Sequence, residues 1–123
     1  MKRALCPIFS IILACFLCVF GSFMLAEQSS GRLAFIADFN GTRDLFVIDA
    51  NGGNLKNLTA DEAEEIDFKW SPDGTKILYE VRIAKNDYRL VVIENDGTNP
   101  LILDTCKSGY SFFSWSPDGT RIL

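Results

Sequence analysis

The chain after residue 31 is built from short apolar runs that end at glycine, proline, asparagine or aspartate residues. Two examples are residues 76–81, "KILYEV", and residues 89–94, "RLVVIE". These runs are too short for amphipathic helices, and their turn-forming borders are typical of β-strands. Their apolar character is nearly continuous, as in strands that other elements cover on both faces. The pattern therefore predicts an all-β fold of packed sheets.

The hydrophobic pattern also repeats at a fixed step. The stretch "WSPDGTKIL", which begins at Trp70, recurs as "WSPDGTRIL" at Trp115, 45 residues later. Leu45 recurs as Leu90 at the same step. A period of about 40 to 45 residues suits β-propeller blades of four antiparallel strands, in which each blade packs against its neighbours.

This period divides the chain into one complete blade and two incomplete ones. The complete blade covers residues 65–104, with strands predicted at 65–70, 76–83, 88–94 and 101–104. A partial blade covers residues 31–59, with strands at 32–37, 44–49 and 54–59 and no first strand. The start of a further blade covers residues 110–123, with strands at 110–115 and 121–123.

Tight turns are predicted between these strands. Ser71–Gly74 fits a type I turn, because proline sets φ at the second position and glycine allows a positive φ at the fourth. Residues 116–119 repeat this turn, and 51–53 and 95–97 mark hairpins between third and fourth strands. Asp73 and Asp118 could be metal ligands, but we interpret both as turn residues that accept hydrogen bonds from nearby backbone amides.

The N-terminal segment differs from the rest. Residues 4–26 carry no charge, follow Met1-Lys2-Arg3, and precede a polar stretch that begins at Glu27. This predicts a signal peptide, or an uncleaved hydrophobic helix that anchors the chain, over residues 1–26. Cleavage could follow Ala26 or Gly21. We expect an exported protein that contacts a membrane only if residues 4–26 are retained.

Composition removes several classes of function. Ten basic and sixteen acidic residues remain from Glu27 onward, a net charge of about −6, which argues against a nucleic-acid partner. Cys106 is the only cysteine in that part, so an internal disulfide is excluded. The chain contains no histidine, so a histidine general base and a Ser-His-Asp triad are excluded. We therefore expect no enzyme, no cofactor and no metal, and assign no catalytic residue.

One acidic run stands out between residues 61 and 67. It contains Asp61, Glu62, Glu64, Glu65 and Asp67. The run could attract calcium or a basic partner, but it lacks the spacing and the central glycine of an EF-hand loop. We interpret it as a solvated loop between blades.

The motif "WSPDGT" and the stretch "LFVIDANGGNLKNLT" resemble the TolB-type, or WD-like, propeller repeat of exported bacterial proteins. The resemblance covers residues 31–123. It implies a periplasmic or cell-surface location and a propeller face or channel that binds other proteins. The expected function is thus a noncatalytic protein-binding scaffold in the bacterial envelope, with binding residues that the sequence does not identify.

The chain holds about two blades, whereas a propeller ring closes with about four to eight. The first interpretation is a truncated gene product or an incomplete sequence. Alternatively, three copies assemble head to tail into a six-blade ring, with the last strand of one copy entering the incomplete blade of the next. Two other hypotheses are a detached propeller portion of a prolyl-oligopeptidase-type serine peptidase, whose catalytic domain is missing, and a nonfunctional fragment.

Overall fold

The computed structural model of the protein describes residues 23–29, 31–39 and 41–123. These residues form two four-stranded antiparallel sheets in which the strands follow chain order. The first sheet contains β1 (Phe23–Ser29), β2 (Arg32–Phe39), β3 (Thr42–Asp49) and β4 (Lys56–Asn57). The second contains β5 (Glu64–Trp70), β6 (Lys76–Ala84), β7 (Asp87–Glu94) and β8 (Leu101–Cys106). The all-β class and the four-stranded blades are confirmed.

The first sheet has one more strand than the sequence predicted. β1 pairs with β2 from Ser29 opposite Arg32 to Phe23 opposite Ala37, and so takes the first-strand position that was expected to be empty. Residues 23–26 had been assigned to the predicted export segment, because a uniformly apolar run does not distinguish a strand from a signal sequence. The rest of that segment, residues 1–22, lies outside the described residues. Within the described ranges, no helix is long and apolar enough to span a bilayer.

Two other predicted strands differ from the structure, since one is absent and the other is shorter than expected. Residues 110–115 form no strand, and a single antiparallel bridge joins Trp115 to Ile122. Beside this bridge, the amides of Ser114 and Leu123 each donate to the other residue's carbonyl, at 3.1 and 2.9 Å. In the first sheet, β4 is limited to two residues instead of 54–59. Asn54 has a φ of 52°, which interrupts the extended backbone.

The apolar residues form clusters on both faces of each sheet. The cluster between the sheets contains Ala34, Ile36, Leu45 and Val47 from the first sheet, and Phe68, Ile77, Tyr79, Val81, Val91 and Ile93 from the second. A second cluster contains the alternate residues of the first sheet, Leu33, Phe35, Ala37, Phe46 and Ile48. A third contains Leu78, Leu90 and Phe113, which lie on the other side of the second sheet. Burial of both faces explains the continuous apolar runs.

The two copies of the "SPDG" turn have matching hydrogen bonds. In each, the glycine amide donates to the serine carbonyl, at 2.9 Å for Gly74 and 2.8 Å for Gly119. The glycines have φ angles of 70° and 69°. Asp73 accepts from the Thr75 amide, and Asp118 accepts from the Thr120 amide, each at 3.0 Å. The interpretation of both aspartates as turn residues is therefore confirmed.

Candidate functional site between the sheets

An ion pair joins the two sheets at the end that carries the β2–β3 and β6–β7 turns. Arg43 on β3 lies 2.5 Å from Glu64 on β5, measured from Nη2 to Oε1. The other oxygen of Glu64 pairs with Arg82 on β6. One carboxylate from the acidic run therefore lies between two guanidinium groups and links the blades.

A hydrogen-bonded group of polar side chains lies beside this ion pair. Asp44 on β3 is 3% exposed, and its Oδ2 accepts a hydrogen bond from Asn57 Nδ2 at 2.6 Å. Thr59 Oγ1 accepts from the amide of Leu45 at 2.9 Å, and the Thr59 amide donates to Asn57 Oδ1 at 3.0 Å. These side chains hold the β4 segment against β3 where the backbone ladder is only two residues long. Asn57 and Thr59 thus have a structural role here.

Glu65 is the most deeply buried carboxylate of the described residues, at 1% exposure. Its pKa is raised from 4.5 to about 8, mainly because burial disfavours the charged form; a hydrogen bond with Thr59 acts in the opposite direction, and the nearby charges of Asp61 and Asp44 add to the rise. Glu65 Oε2 has no hydrogen-bond partner among the described residues, and neither has Asp44 Oδ1. The side chain is therefore mostly protonated at neutral pH and is a potential hydrogen-bond donor.

The solvated-loop interpretation of residues 61–67 is therefore wrong for part of the run. Asp61 and Glu62 are exposed as expected, and Asp61 Oδ1 accepts from the amide of Ala63 at 2.8 Å. Asp67 forms an ion pair with Lys69 at 3.0 Å. Glu65 departs from the prediction because β5 begins within the run, at Glu64, and the Glu65 side chain on this strand is buried.

A cavity of about 230 Å³ opens beside Glu65 on the face of the second sheet that packs against the first. Its polar lining comes from Asp61, Glu65, Tyr79 and Arg89. Its apolar lining comes from Ala63, Val81, Ile83, Val91, Pro100 and Ile102. Burial and the nearby charges of Glu65 and Asp61 raise the pKa of Tyr79 to about 12, so its hydroxyl stays protonated. All four strands of the second sheet thus contribute to this small cavity, as do the connections before β5 and before β8. Its lining is partly polar and partly apolar.

A larger cavity of about 470 Å³ lies at the same end, beside the β6–β7 turn. Glu62, Glu64, Arg82 and Lys85 are its charged lining residues. Glu64 and Arg82 pair with each other, so part of this charge is already neutralised. The smaller cavity differs because its deepest carboxylate lacks a cationic partner among the described residues.

The outermost strand of the second sheet presents an apolar edge. Leu101, Ile102 and Leu103 are consecutive in β8 and are 60%, 50% and 42% exposed. β8 pairs with β7 on one side, and no described strand pairs with its other side. Ile102 also lines the smaller cavity, so the apolar edge and the cavity are continuous.

Sequence reasoning missed Asp44 and Glu65 as buried groups, although the repeat held a signal. At the step of 45 residues, Asp44 corresponds to Arg89, and Glu65 corresponds to Tyr110. In each pair the two copies of the repeat carry different polar side chains, although apolar residues near them are the same in both copies. A change of chemistry between aligned repeat positions marks them as specific to one blade.

No protein-family model matches this chain, and no curated protein matches its sequence. Solved structures are similar to it in fold. A protein assigned as TolB from Agrobacterium tumefaciens has a TM-score of 0.68 at 19% identity, over 79% of this chain and 39% of that one. An oligogalacturonate lyase in complex with manganese has a TM-score of 0.65 at 15% identity, over 82% of this chain and 29% of that one.

A prolyl endopeptidase is also similar, with a TM-score of 0.62 at 20% identity, over 82% of this chain and 16% of that one. All three have propeller-type folds. This chain therefore has the fold of propeller blades, and it spans well under half the length of each of these proteins.

Proposed function

We propose that this chain is a noncatalytic, exported propeller segment that binds another protein in the bacterial envelope. The observation that carries the proposal is the apolar edge of β8, with three consecutive exposed aliphatic side chains. Natural sheets usually protect such edges with charges, proline or short strands, because an open edge pairs with other chains. Extended segments of partner proteins bind open edges by adding a strand, and side-chain contacts then give specificity.

Export is supported by the basic start, by the uncharged stretch that follows it up to β1, and by the resemblance to exported repeat proteins. The location in this proposal is the periplasm or the cell surface. Binding rather than catalysis is supported by the absence of histidine from the sequence.

The test uses charge substitution at the β8 edge. The full-length chain is cross-linked in the envelope of the cell that produces it, and the cross-linked proteins are identified by mass spectrometry. The double variant Leu101→Lys, Leu103→Lys should lose a discrete partner, because two ammonium groups block addition of an apolar strand. Leu55→Lys is the matched control, since Leu55 is an exposed leucine at 51% in the turn before β4. Identical cross-links for all three proteins would reject the β8 edge as the binding surface.

Self-assembly remains a second proposal for the partner. The ring of three copies needs the last segment of one chain to enter the first-strand position of the next. β1 occupies that position in the described structure, so a neighbouring strand would have to replace it. Light scattering on the purified chain distinguishes a trimer from a monomer.

The enzyme hypothesis concerns a catalytic domain outside these 123 residues. Reading the gene past the codon for Leu123 separates the hypotheses. Further blades followed by a stop codon agree with a scaffold, whereas a Gly-x-Ser-x-Gly motif followed by aspartate and histidine agrees with a peptidase.

A further inference from the structure

We propose that the cavity beside Glu65 binds an alkylammonium group, with the ammonium at the buried carboxyl and the methylene stem along the apolar wall. The group can come from a small primary amine or from a lysine side chain of a protein partner. The first source is independent of the proposed binding at the β8 edge. The second rests on it, because the cavity and that edge meet at Ile102.

The geometry provides one end of the site. Glu65 lines the cavity, is 1% exposed, and has an Oε2 atom with no hydrogen-bond partner among the described residues. A buried carboxyl oxygen without a partner is unfavourable, and an N–H donor in the cavity would satisfy it. An alkylammonium group has three such donors.

The surrounding charges favour a cation over an anion at this end. Asp61 in the connection before β5 and Asp44 on β3 both disfavour ionisation of Glu65, and Tyr79 on β6 is neutral. Arg89 on β7 lines the cavity, but it is not among the groups that shift the pKa of Glu65. Above its pKa, Glu65 is a carboxylate that no described cation stabilises, so a bound ammonium would neutralise it, whereas a carboxylate ligand would be repelled.

The remaining walls suit a short hydrocarbon stem. Val81, Ile83 and Val91 line the cavity, and the ring of Tyr79 adds an aromatic surface that attracts cations. The volume of about 230 Å³ is below the roughly 300 to 1,000 Å³ of sites for drug-sized ligands, so a ligand of side-chain size fits. Among residues 23–29, 31–39 and 41–123, no three His, Cys, Asp or Glu side chains are grouped to hold a metal ion.

The binding test titrates the full-length chain with n-butylammonium chloride and follows the methyl NMR signals of Val81, Ile83 and Val91. 1-Butanol and sodium butyrate are the neutral and anionic counterparts of the probe. We expect saturable shifts with butylammonium at about pH 9, where Glu65 is ionised and the amine, with a pKa of about 10.4, is still charged. Protonation of Glu65 competes with the ligand, so the affinity should fall roughly a hundredfold between pH 9 and pH 6.

Two substitutions make the test specific. Glu65→Gln mimics the protonated acid, and we expect it to reduce affinity at pH 9 at least tenfold and to remove the pH dependence. Asp61→Asn, at an exposed position, should weaken binding a few-fold and leave the pH dependence in place. Glu62→Gln is the matched control, because Glu62 belongs to the same acidic run but does not line this cavity. It should bind like the unmodified chain.

Two results would overturn the proposal: butanol shifting the methyl signals at the same concentrations as butylammonium, or Glu65→Gln binding with unchanged affinity and pH dependence. A comparison of probes then distinguishes the two sources. Binding of a short extended peptide with a central lysine at least tenfold more tightly than butylammonium, and than its norleucine counterpart, supports a partner's lysine. Equal or weaker binding of the peptide, with butylammonium still bound through Glu65, supports a free amine.

Discussion

The indole Nε1 of Trp115 donates a hydrogen bond to the backbone carbonyl of Lys69 across 3.2 Å. The ammonium of Lys69 lies 5.8 Å from the centre of the Phe113 ring, a cation–π distance. Trp115 also packs with Phe113 against the cluster that contains Leu78 and Leu90. The beginning of the third repeat unit therefore covers the face of the second sheet that the first sheet does not reach.

We expect Trp115→Phe to lower the free energy of unfolding by about 1 kcal/mol, because it keeps an aromatic ring but removes the donor to Lys69. Trp115→Ala should lower it by about 2 to 3 kcal/mol, less than for a fully buried tryptophan, because the ring is only partly buried. Urea unfolding followed by circular dichroism measures both values.

Phe112→Ala is the control for this prediction. Phe112 is the neighbouring aromatic residue in sequence and is 74% exposed, so its removal should change stability by less than about 0.5 kcal/mol. If Trp115→Ala is as mild as Phe112→Ala, the terminal segment does not contribute to the stability of the second sheet.

Glu65 should make the stability of the protein depend on pH. Its pKa is raised from 4.5 to about 8 in the folded state, so the folded protein holds a proton that the unfolded chain releases between these values. Stability from this group is therefore fully present below about pH 4.5 and is lost as the pH rises to about 8. Glu65→Gln removes this dependence, and at pH 9 the variant should be more stable by up to roughly 5 kcal/mol.

Urea unfolding at several pH values from 4 to 9 tests this expectation. The variant and the unmodified protein should have similar stability at pH 4 and diverge above it. Glu62→Gln, at an exposed position of the same run, should follow the unmodified protein throughout. Parallel curves for Glu65→Gln and the unmodified protein would show that Glu65 titrates normally.

The ion pair between Arg43 and Glu64 should couple the two sheets more strongly than the pair between Arg82 and Glu64. The side chains of Arg43 and Glu64 are each 30% exposed, whereas Arg82 is 45% exposed. We expect a coupling free energy of about 1 kcal/mol for Arg43–Glu64 and a smaller value for Arg82–Glu64. Double-mutant cycles with Arg43→Met, Arg82→Met and Glu64→Gln measure both, and a larger coupling for Arg82 would contradict the prediction.

The contribution of the repeated turn to stability should be lost in acid. A hydrogen bond with Ser116 is the main cause that lowers the pKa of Asp118 from 3.8 to about 2, and bonds with the Thr120 amide and hydroxyl add to it. Because the folded-state pKa is lowered, this contribution is present above about pH 4 and is lost as the pH falls toward 2. NMR titration of the Asp118 carboxyl should give a midpoint well below the usual aspartate pKa of 3.8. Asp118→Asn should reduce the acid sensitivity of unfolding in this pH range.

The sequence predicted the second sheet closely. Strands expected at 65–70, 76–83, 88–94 and 101–104 are observed at Glu64–Trp70, Lys76–Ala84, Asp87–Glu94 and Leu101–Cys106. The agreement has a local cause, because proline, aspartate and glycine define the turns over four residues and the repeat supplies each strand twice. Signal-peptide cleavage and membrane anchoring over residues 1–26 remain predictions.

The candidate site could not be predicted in the same way. The sequence identified the acidic run, but it did not show that Glu65 would be buried while Glu62 stays exposed. The pKa of Glu65 depends mainly on burial and also on the charge of Asp44, which lies 21 positions earlier in the chain and in the other sheet. No local sequence pattern shows that these two carboxyl groups lie close together, because they come together only when the two blades pack face to face.

By itself, the sequence determined the all-β class, the 45-residue period, and the turn chemistry at Ser71–Gly74 and its copy at residues 116–119. Only the tertiary structure decided that residues 23–29 pair as β1, that residues 110–115 pair through a single bridge at Trp115, and that Glu65 lines a cavity on the face of the second sheet that packs against the first. The physical reason is the range of the forces involved. Turn hydrogen bonds act within a few residues along the chain, whereas strand pairing and the desolvation of a carboxyl group depend on which distant segments pack against it.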